Sequence, residues 1–255
     1  MTALQNKNAL VTGASRGIGR ATALVLAEAG ARVLIHYGRS KREAESTVAE
    51  IQTKGGRADA ITADLGTPDG ASLLAQQVRS IVGDRLDVLV LNAGISKAAL
   101  IADYTVGDFD NLFATNVRGP FFLVQQLLPV LGEGSSIVVI SSLGARSVVG
   151  KSDLDKPSIL AYASTKGALA TLVKNWASIL GPRGIRVNAV APGVIDTDMS
   201  NFTKSEAGRE VALGMQALKR IGKPEDVADV VSFMASDAAR WITGASIPVD
   251  GGSKL

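Results

Sequence analysis

Two residue types are missing or nearly missing from this chain, and each shortage removes a class of chemistry. None of its 255 residues is cysteine, which excludes disulfides, thiolate nucleophiles and thiolate metal sites and permits a reducing compartment. Histidine occurs once, as His36 inside an apolar run. A His-cluster metal site and a Ser/His/Asp triad therefore cannot be assembled, no metal is expected, and a buried structural role is the better reading of His36. Apolar runs stay short of the ~20 residues that cross a bilayer, and residues 1–7 lack the apolar stretch of a signal peptide. A cytoplasmic protein with no membrane partner is expected. The formal charge of +3 comes from acids and bases dispersed along the chain, without the basic run or aromatic-basic interleaving of a nucleic-acid binder. Repeats, low-complexity tracts and linkers are absent too, so residues 1–255 read as a single domain.

What is present is a chain 46% hydrophobic and 20% charged, enough to build one large core. Short apolar runs at 9–11, 32–37, 58–63, 88–91, 137–140, 185–190 and 246–249 alternate with helical patterns at 19–29, 41–54, 68–82, 108–131, 158–180 and 224–235. This alternation predicts an α/β fold: a doubly wound, seven-stranded, mainly parallel sheet with helices on both faces and right-handed crossovers. In the fifth helix Leu169, Leu172, Val173, Trp176, Ile179 and Leu180 form the apolar stripe, and Gly181-Pro182 ends it.

Directly after the first strand stands Thr12-Gly13-Ala14-Ser15-Arg16-Gly17-Ile18-Gly19. Glycines at a strand-helix junction allow a tight turn, close approach of backbone N–H groups to a pyrophosphate, and close helix packing, as in a Rossmann-type dinucleotide site. An acid ending the second strand would bond an adenosine ribose 2′-hydroxyl and repel a 2′-phosphate. The chain instead reads His36-Tyr37-Gly38-Arg39-Ser40-Lys41. Arg39, Ser40 and Lys41, with Arg16 from the glycine turn, offer charge-assisted bonds to a phosphate, so NADP(H) is expected over NAD(H). The alternative is that residues 39–42 are only a solvated helix start.

Tyr162-Ala163-Ser164-Thr165-Lys166 puts a phenol and an ammonium on one face of a helix. A phenol with a reference pKa of ~10 exchanges protons poorly near neutrality, and a nearby cation favours its ionised form.

Taken together, these segments resemble the short-chain dehydrogenase/reductase family from end to end. The resemblance also rests on Asp64-Leu65, Asn92-Ala93-Gly94, Asn116-Val117-Arg118-Gly119, Ile140-Ser141-Ser142, Pro192-Gly193, Arg220 to Asp226, Thr243-Gly244 and Val249-Asp250-Gly251-Gly252. It implies a Rossmann-type oxidoreductase that moves hydride between a nicotinamide and a carbonyl or alcohol carbon. Tyr162 would carry the proton, and Lys166 would hold the nicotinamide ribose and lower the pKa of Tyr162. Ser142 would bond the substrate oxygen, with Ser141 as its rival, and Asn116 would support a water relay behind Lys166. On the cofactor side the resemblance implies Gly13, Ser15, Arg16, Gly17, Ile18 and Gly19, then Tyr37, Arg39, Ser40, Asp64, Leu65, Asn92, Ala93 and Gly94. Pro192, Gly193, the Ile195 backbone and Thr197 complete that set. Asp64 has a competing reading as the cap of the helix near Pro68. A homotetramer built on the fourth and fifth helices is implied, with Phe109, Phe113, Phe121 and Phe122 as candidate contacts.

The chain departs from the family between Ser142 and Tyr162, which lie twenty steps apart where many members have about thirteen; the extra residues around 151–157 are expected at the rim of the site. Ile95, Ser96, Leu143, Val148, Val149, Met199 and Phe202 are the expected substrate-facing residues, suited to a mid-sized, partly apolar carbonyl compound. A 3-oxoacyl-acyl-carrier-protein reductase ranks second, because the turn 131–135 carries Glu133 and no base to meet an acidic carrier, although Arg183 could supply one contact. A sugar or polyol dehydrogenase and a non-catalytic dinucleotide-binding scaffold are the remaining alternatives.

Overall fold

A computed structural model describes residues 3–149 and 154–255. Seven strands form one sheet: β1 (Asn8–Val11), β2 (Arg32–Tyr37), β3 (Arg57–Thr62), β4 (Val88–Leu91), β5 (Ser136–Ile140), β6 (Arg186–Pro192) and β7 (Ser246–Val249). Their order is β3-β2-β1-β4-β5-β6-β7, and every pairing is parallel. The sheet is therefore wholly parallel, where the sequence pattern predicts a mainly parallel one. The order in which strands are added reverses between β1 and β4, and the carboxyl ends of strands at such a switch point are where open parallel sheets bind ligands.

Two apolar layers explain why the strands read as unbroken hydrophobic runs. Leu10, Leu89, Leu91, Ile137 and Val139 pack on one face. Ala9, Val11, Val88, Val90, Val138 and Ile140 pack on the other. With a side-chain period of two and both faces covered, each position needs an apolar residue. The first face is covered by α3 (Gly70–Val82), α5 (Gly119–Leu127) and α6 (Leu160–Leu180) through Leu74, Leu123, Leu169 and Trp176. The second is covered by α1 (Gly17–Glu28), α2 (Lys41–Thr53) and α8 (Pro224–Ala235) through Leu26, Ile51, Val227 and Met234. Each such fully buried aliphatic side chain stabilises the fold by about 1.5–3 kcal/mol relative to exposure.

Two elements differ from the sequence pattern. The expected helix at 108–131 is α4 (Val106–Phe113), a π-helical segment at Ala114–Arg118, and α5. Periodicity cannot reveal one wide turn inside an otherwise continuous apolar stripe. A further helix, α7 (Glu206–Gly214), follows the β6 loop; its composition is too polar to announce a buried face, and Ala212 is its one buried residue. In α8, Asp226 accepts from the Lys223 amide at 2.7 Å and pairs with Arg220 at 2.6 Å and 2.7 Å, so Arg220 pulls its carboxyl down to about 2.

Candidate active site

The glycine-rich turn has the backbone that its sequence demands. Gly13 and Gly17 have φ of 64° and 55°, the left-handed region that side chains disfavour. A Cβ on Gly19 would lie 2.3 Å from the Gly13 carbonyl and 2.4 Å from the Asn92 amide nitrogen. No side chain caps α1, which leaves its amino-terminal N–H groups directed at the crevice as an anion site. The turn is locked from one side by Thr12, a buried residue that sequence patterning passes over. Its hydroxyl donates to Val90 at 3.2 Å and accepts from the Asn92 and Ala93 amides at 2.9 Å and 3.0 Å. Asn92 returns its side-chain amide to the Thr12 and Gly13 carbonyls at 2.8 Å and 3.0 Å. Asn92 thus braces the turn.

The loop after β6 arches over this turn. Ile195 bridges to Gly222, Gly193 sits on Asp250 so tightly that a Cβ would come within 2.7 Å, and the Thr197 methyl would lie 3.3 Å from a Cβ on Gly17. Arg16 pairs with Asp198 at 3.4 Å, Arg39 with Asp64 at 3.9 Å, and Lys41 with Glu45 at 3.7 Å. All six side chains are largely exposed, so these pairs are weak, and a phosphate displaces them at little cost. Asp64 does not cap α3: its side chain accepts from the Gly66 amide at 2.9 Å and its carbonyl from Thr67. Leu65 is buried against Gly119, and Arg118 donates to the Gly66 carbonyl. The residues present therefore fit a dinucleotide: glycine backbone at the start of α1 suits a pyrophosphate, and the exposed cations Arg16, Arg39 and Lys41 suit a phosphate.

The catalytic candidates converge at the carboxyl end of β5. Ser142 is extended and accepts from the Gly144 amide at 3.1 Å. Burial pushes the Tyr162 phenol above its ordinary pKa, and a hydrogen bond with the Ser142 side chain pulls the other way. Ser141 is buried, and its hydroxyl has no partner among the described residues; Ser142 is the serine that reaches Tyr162. Lys166 is 4% exposed, donates to the Ile140 carbonyl at 2.8 Å, and is lowered by burial to about 8. Its nitrogen lies 5.5 Å from the centre of the Tyr162 ring.

One expectation changes. Burial raises Tyr162 overall, and the lowering contribution comes from the Ser142 hydrogen bond and not from the Lys166 ammonium, which is bonded to Ile140 and lies 5.5 Å from the ring centre. Asn116, 1% exposed in the π-helical segment, has its amide occupied by protein: it accepts from the Ile95 amide at 2.9 Å and donates to the Ile95 carbonyl at 2.9 Å and to Thr165 at 3.1 Å. Thr165 in turn donates to the Tyr162 carbonyl at 2.6 Å. Asn116 braces the β4 loop against the helical turn that carries Tyr162 and Lys166. A Cβ on Gly94 would lie 3.2 Å from its oxygen and 3.8 Å from the Lys166 nitrogen. Thr165, fully buried, is missed by sequence reading; its place between Tyr162 and Lys166 was the one available signal, and its burial is visible only in the fold.

Of the extra segment at the rim, residues 150–153 lie outside the described residues. Its return leg pairs with the β4 loop, with Ser158 and Ala99 exchanging backbone bonds at 3.1 Å and 2.9 Å. The Tyr104 hydroxyl bonds the Lys97 and Ser158 carbonyls at 2.9 Å each. Of the expected substrate-facing residues, Val148, Met199 and Phe202 are exposed, whereas Leu143 is buried at 2%. The carbonyl of Glu133 accepts from Arg85 at 2.6 Å, so the turn at 131–135 does have a base beside it, and Arg183 is committed to the Leu128 and Leu131 carbonyls.

A family model described as enoyl-(acyl carrier protein) reductase matches residues 13–254. The chain belongs to the short-chain dehydrogenase/reductase family. It is 42% identical to versicolorin reductase stcU of Emericella nidulans over 98% of this chain and 96% of that protein. It is 41% identical to the 3-oxoacyl-acyl-carrier-protein reductase FabG of Staphylococcus epidermidis over 97% of this chain and 98% of that one. A short-chain dehydrogenase of Burkholderia cenocepacia, solved in complex with NADP, superposes with a TM-score of 0.93 at 39% identity, covering 99% of this chain and all of that one.

Proposed function

We propose that this family member is an NADP(H)-dependent oxidoreductase that interconverts a ketone and a secondary alcohol. The observation that carries the reading is the joining of Ser142 and Tyr162 at the end of β5, with Lys166 beneath the ring. When bound, the nicotinamide supplies or accepts the hydride. Gly13, Gly17 and Gly19 with the start of α1 would hold the pyrophosphate, and Arg16, Arg39 and Ser40 would bond the 2′-phosphate. The Ser142 hydroxyl donates to the carbonyl oxygen and stabilises the charge that grows there. Tyr162 passes its proton to that oxygen; with its pKa raised by burial, the phenol is in the proton-bearing form that reduction requires. Lys166 spends one of its three N–H donors on Ile140 and would offer the others to the cofactor ribose, and Asn116 fixes the turn bearing Tyr162 and Lys166.

The test is NADPH oxidation with a panel of ketones and acyl thioesters. Tyr162→Phe is expected to lower kcat by about 10²–10⁴-fold with NADPH affinity retained; unchanged turnover removes Tyr162 from the mechanism. Preference for thioesters over simple ketones selects the 3-oxoacyl-acyl-carrier-protein reductase reading, which the 41% identity to FabG favours. We also propose a homotetramer. Phe109, Phe121, Phe122, Ile179 and Trp241 are at least 40% exposed and are the candidate contacts with a second subunit. A cytoplasmic location accords with the lack of cysteine, and among the described residues no helix is long and apolar enough to cross a membrane.

A further inference from the structure

We propose that His36 is a positioning residue that sets the distance between the pyrophosphate cradle and the adenine side of the cleft. The inference rests on the dinucleotide reading above. His36 is 2% exposed within β2, at a position where a parallel strand covered on both faces ordinarily carries a branched aliphatic residue. Its two ring nitrogens reach opposite walls. The Gly13 amide donates to Nδ1 at 3.1 Å, and Nε2 lies 3.0 Å from the Ala63 carbonyl. Since Nδ1 accepts, the ring proton must sit on Nε2 and be donated to Ala63. The backbone carbonyl of His36 also accepts from the Ala14 amide at 2.9 Å.

One residue thus holds Gly13 and Ala14 on one side and the carbonyl immediately before Asp64-Leu65 on the other. These are the turn that receives phosphate and the loop that faces adenine, and no catalytic step uses the imidazole. Only the neutral Nε2–H tautomer serves both walls. A second proton on Nδ1 would face the Gly13 N–H, and burial, which outweighs the Ala63 bond and the charge of Asp64, holds the ring in the neutral form. An aliphatic residue would suit the strand yet leave a buried donor and a buried acceptor unpaired, and the glycine turn would shift to find other partners.

Three variants and one spectrum test this, with NADPH affinity read by fluorescence titration. His36→Val, confirmed folded by circular dichroism, is expected to weaken NADPH binding about tenfold or more, as loss of a buried hydrogen-bonded pair predicts, with kcat at saturating NADPH within about twofold. His36→Asn presents an acceptor at the Nδ1 position but is too short to reach Ala63, and is expected to weaken binding about threefold, less than Val. His36→Gln, which reaches Ala63 and abandons Gly13, is expected to weaken binding like Val; it decides the matter if Val does not fold. Because the chain has a single histidine, ¹⁵N-histidine labelling gives the signal of one imidazole, expected to be protonated at Nε2 and bare at Nδ1 at about pH 6. Wild-type affinity in folded Val or Gln variants, or the opposite tautomer, overturns the inference alone. A wild-type protein that does not bind NADPH overturns the dinucleotide reading and this inference with it.

Discussion

Acidification from pH 7.5 to 5 is expected to destabilise the fold by an amount that one side chain supplies. His36 is lowered to about 4 in the folded protein from an ordinary value of 6.5, so between these limits the unfolded chain binds a proton that the folded chain refuses. Stability is complete above pH 6.5 and is lost as the pH falls toward 4. One pKa unit corresponds to about 1.4 kcal/mol, which makes the whole effect about 3 kcal/mol and the part reached at pH 5 about 2 kcal/mol. The window is favourable: Asp226, at about 2, acts below it and Lys166, at about 8, above it, and there is no second histidine. Urea unfolding at fixed protein concentration, followed by tryptophan fluorescence, reads the change, since Trp176 is buried at 8%. His36→Asn removes the titration, so the stability difference between the two pH values should shrink by about 2 kcal/mol in the variant. Parallel pH curves for wild type and variant would refute the reasoning.

Other perturbations address the cleft. Gly19→Ala drives a Cβ into the Gly13 carbonyl and is expected to weaken NADPH binding by about tenfold to a hundredfold, the scale of an overpacked contact, with the circular dichroism spectrum unchanged; wild-type affinity would show that the turn yields freely. Arg39→Asp is expected to lower NADPH affinity by a similar factor and to spare NADH, since only a 2′-phosphate needs the charge-assisted bond; equal losses for both cofactors would take Arg39 out of the discrimination. Tyr104→Phe deletes the bonds to Lys97 and Ser158 and is expected to raise KM for the ketone about fivefold without altering NADPH affinity. An unaltered KM would mean that the rim does not shape the substrate cleft.

Much of this architecture is written into local sequence. The inner strands are legible because a parallel strand buried on two faces is apolar at nearly every position, and the helices because their apolar residues recur on one stripe; the edge strands β3 and β7 leave several residues exposed. The glycine turn is legible because positive φ at Gly13 and Gly17 leaves few residue choices, and Tyr162 and Lys166 because one helical turn separates them. Tertiary structure decided the rest, through contacts between residues distant in sequence. The π-helical segment at Asn116 depends on Ile95 and Thr165, which bond its amide from two other elements. The acidity of Tyr162 follows from its burial and from Ser142, and the ammonium beside it is itself desolvated and turned to Ile140. His36 reads in sequence as a lone polar residue in a strand; its partners at Gly13 and Ala63 are twenty-three and twenty-seven residues away. Local spacing carries no information about such partners, because hydrogen bonding and burial are properties of the closed fold.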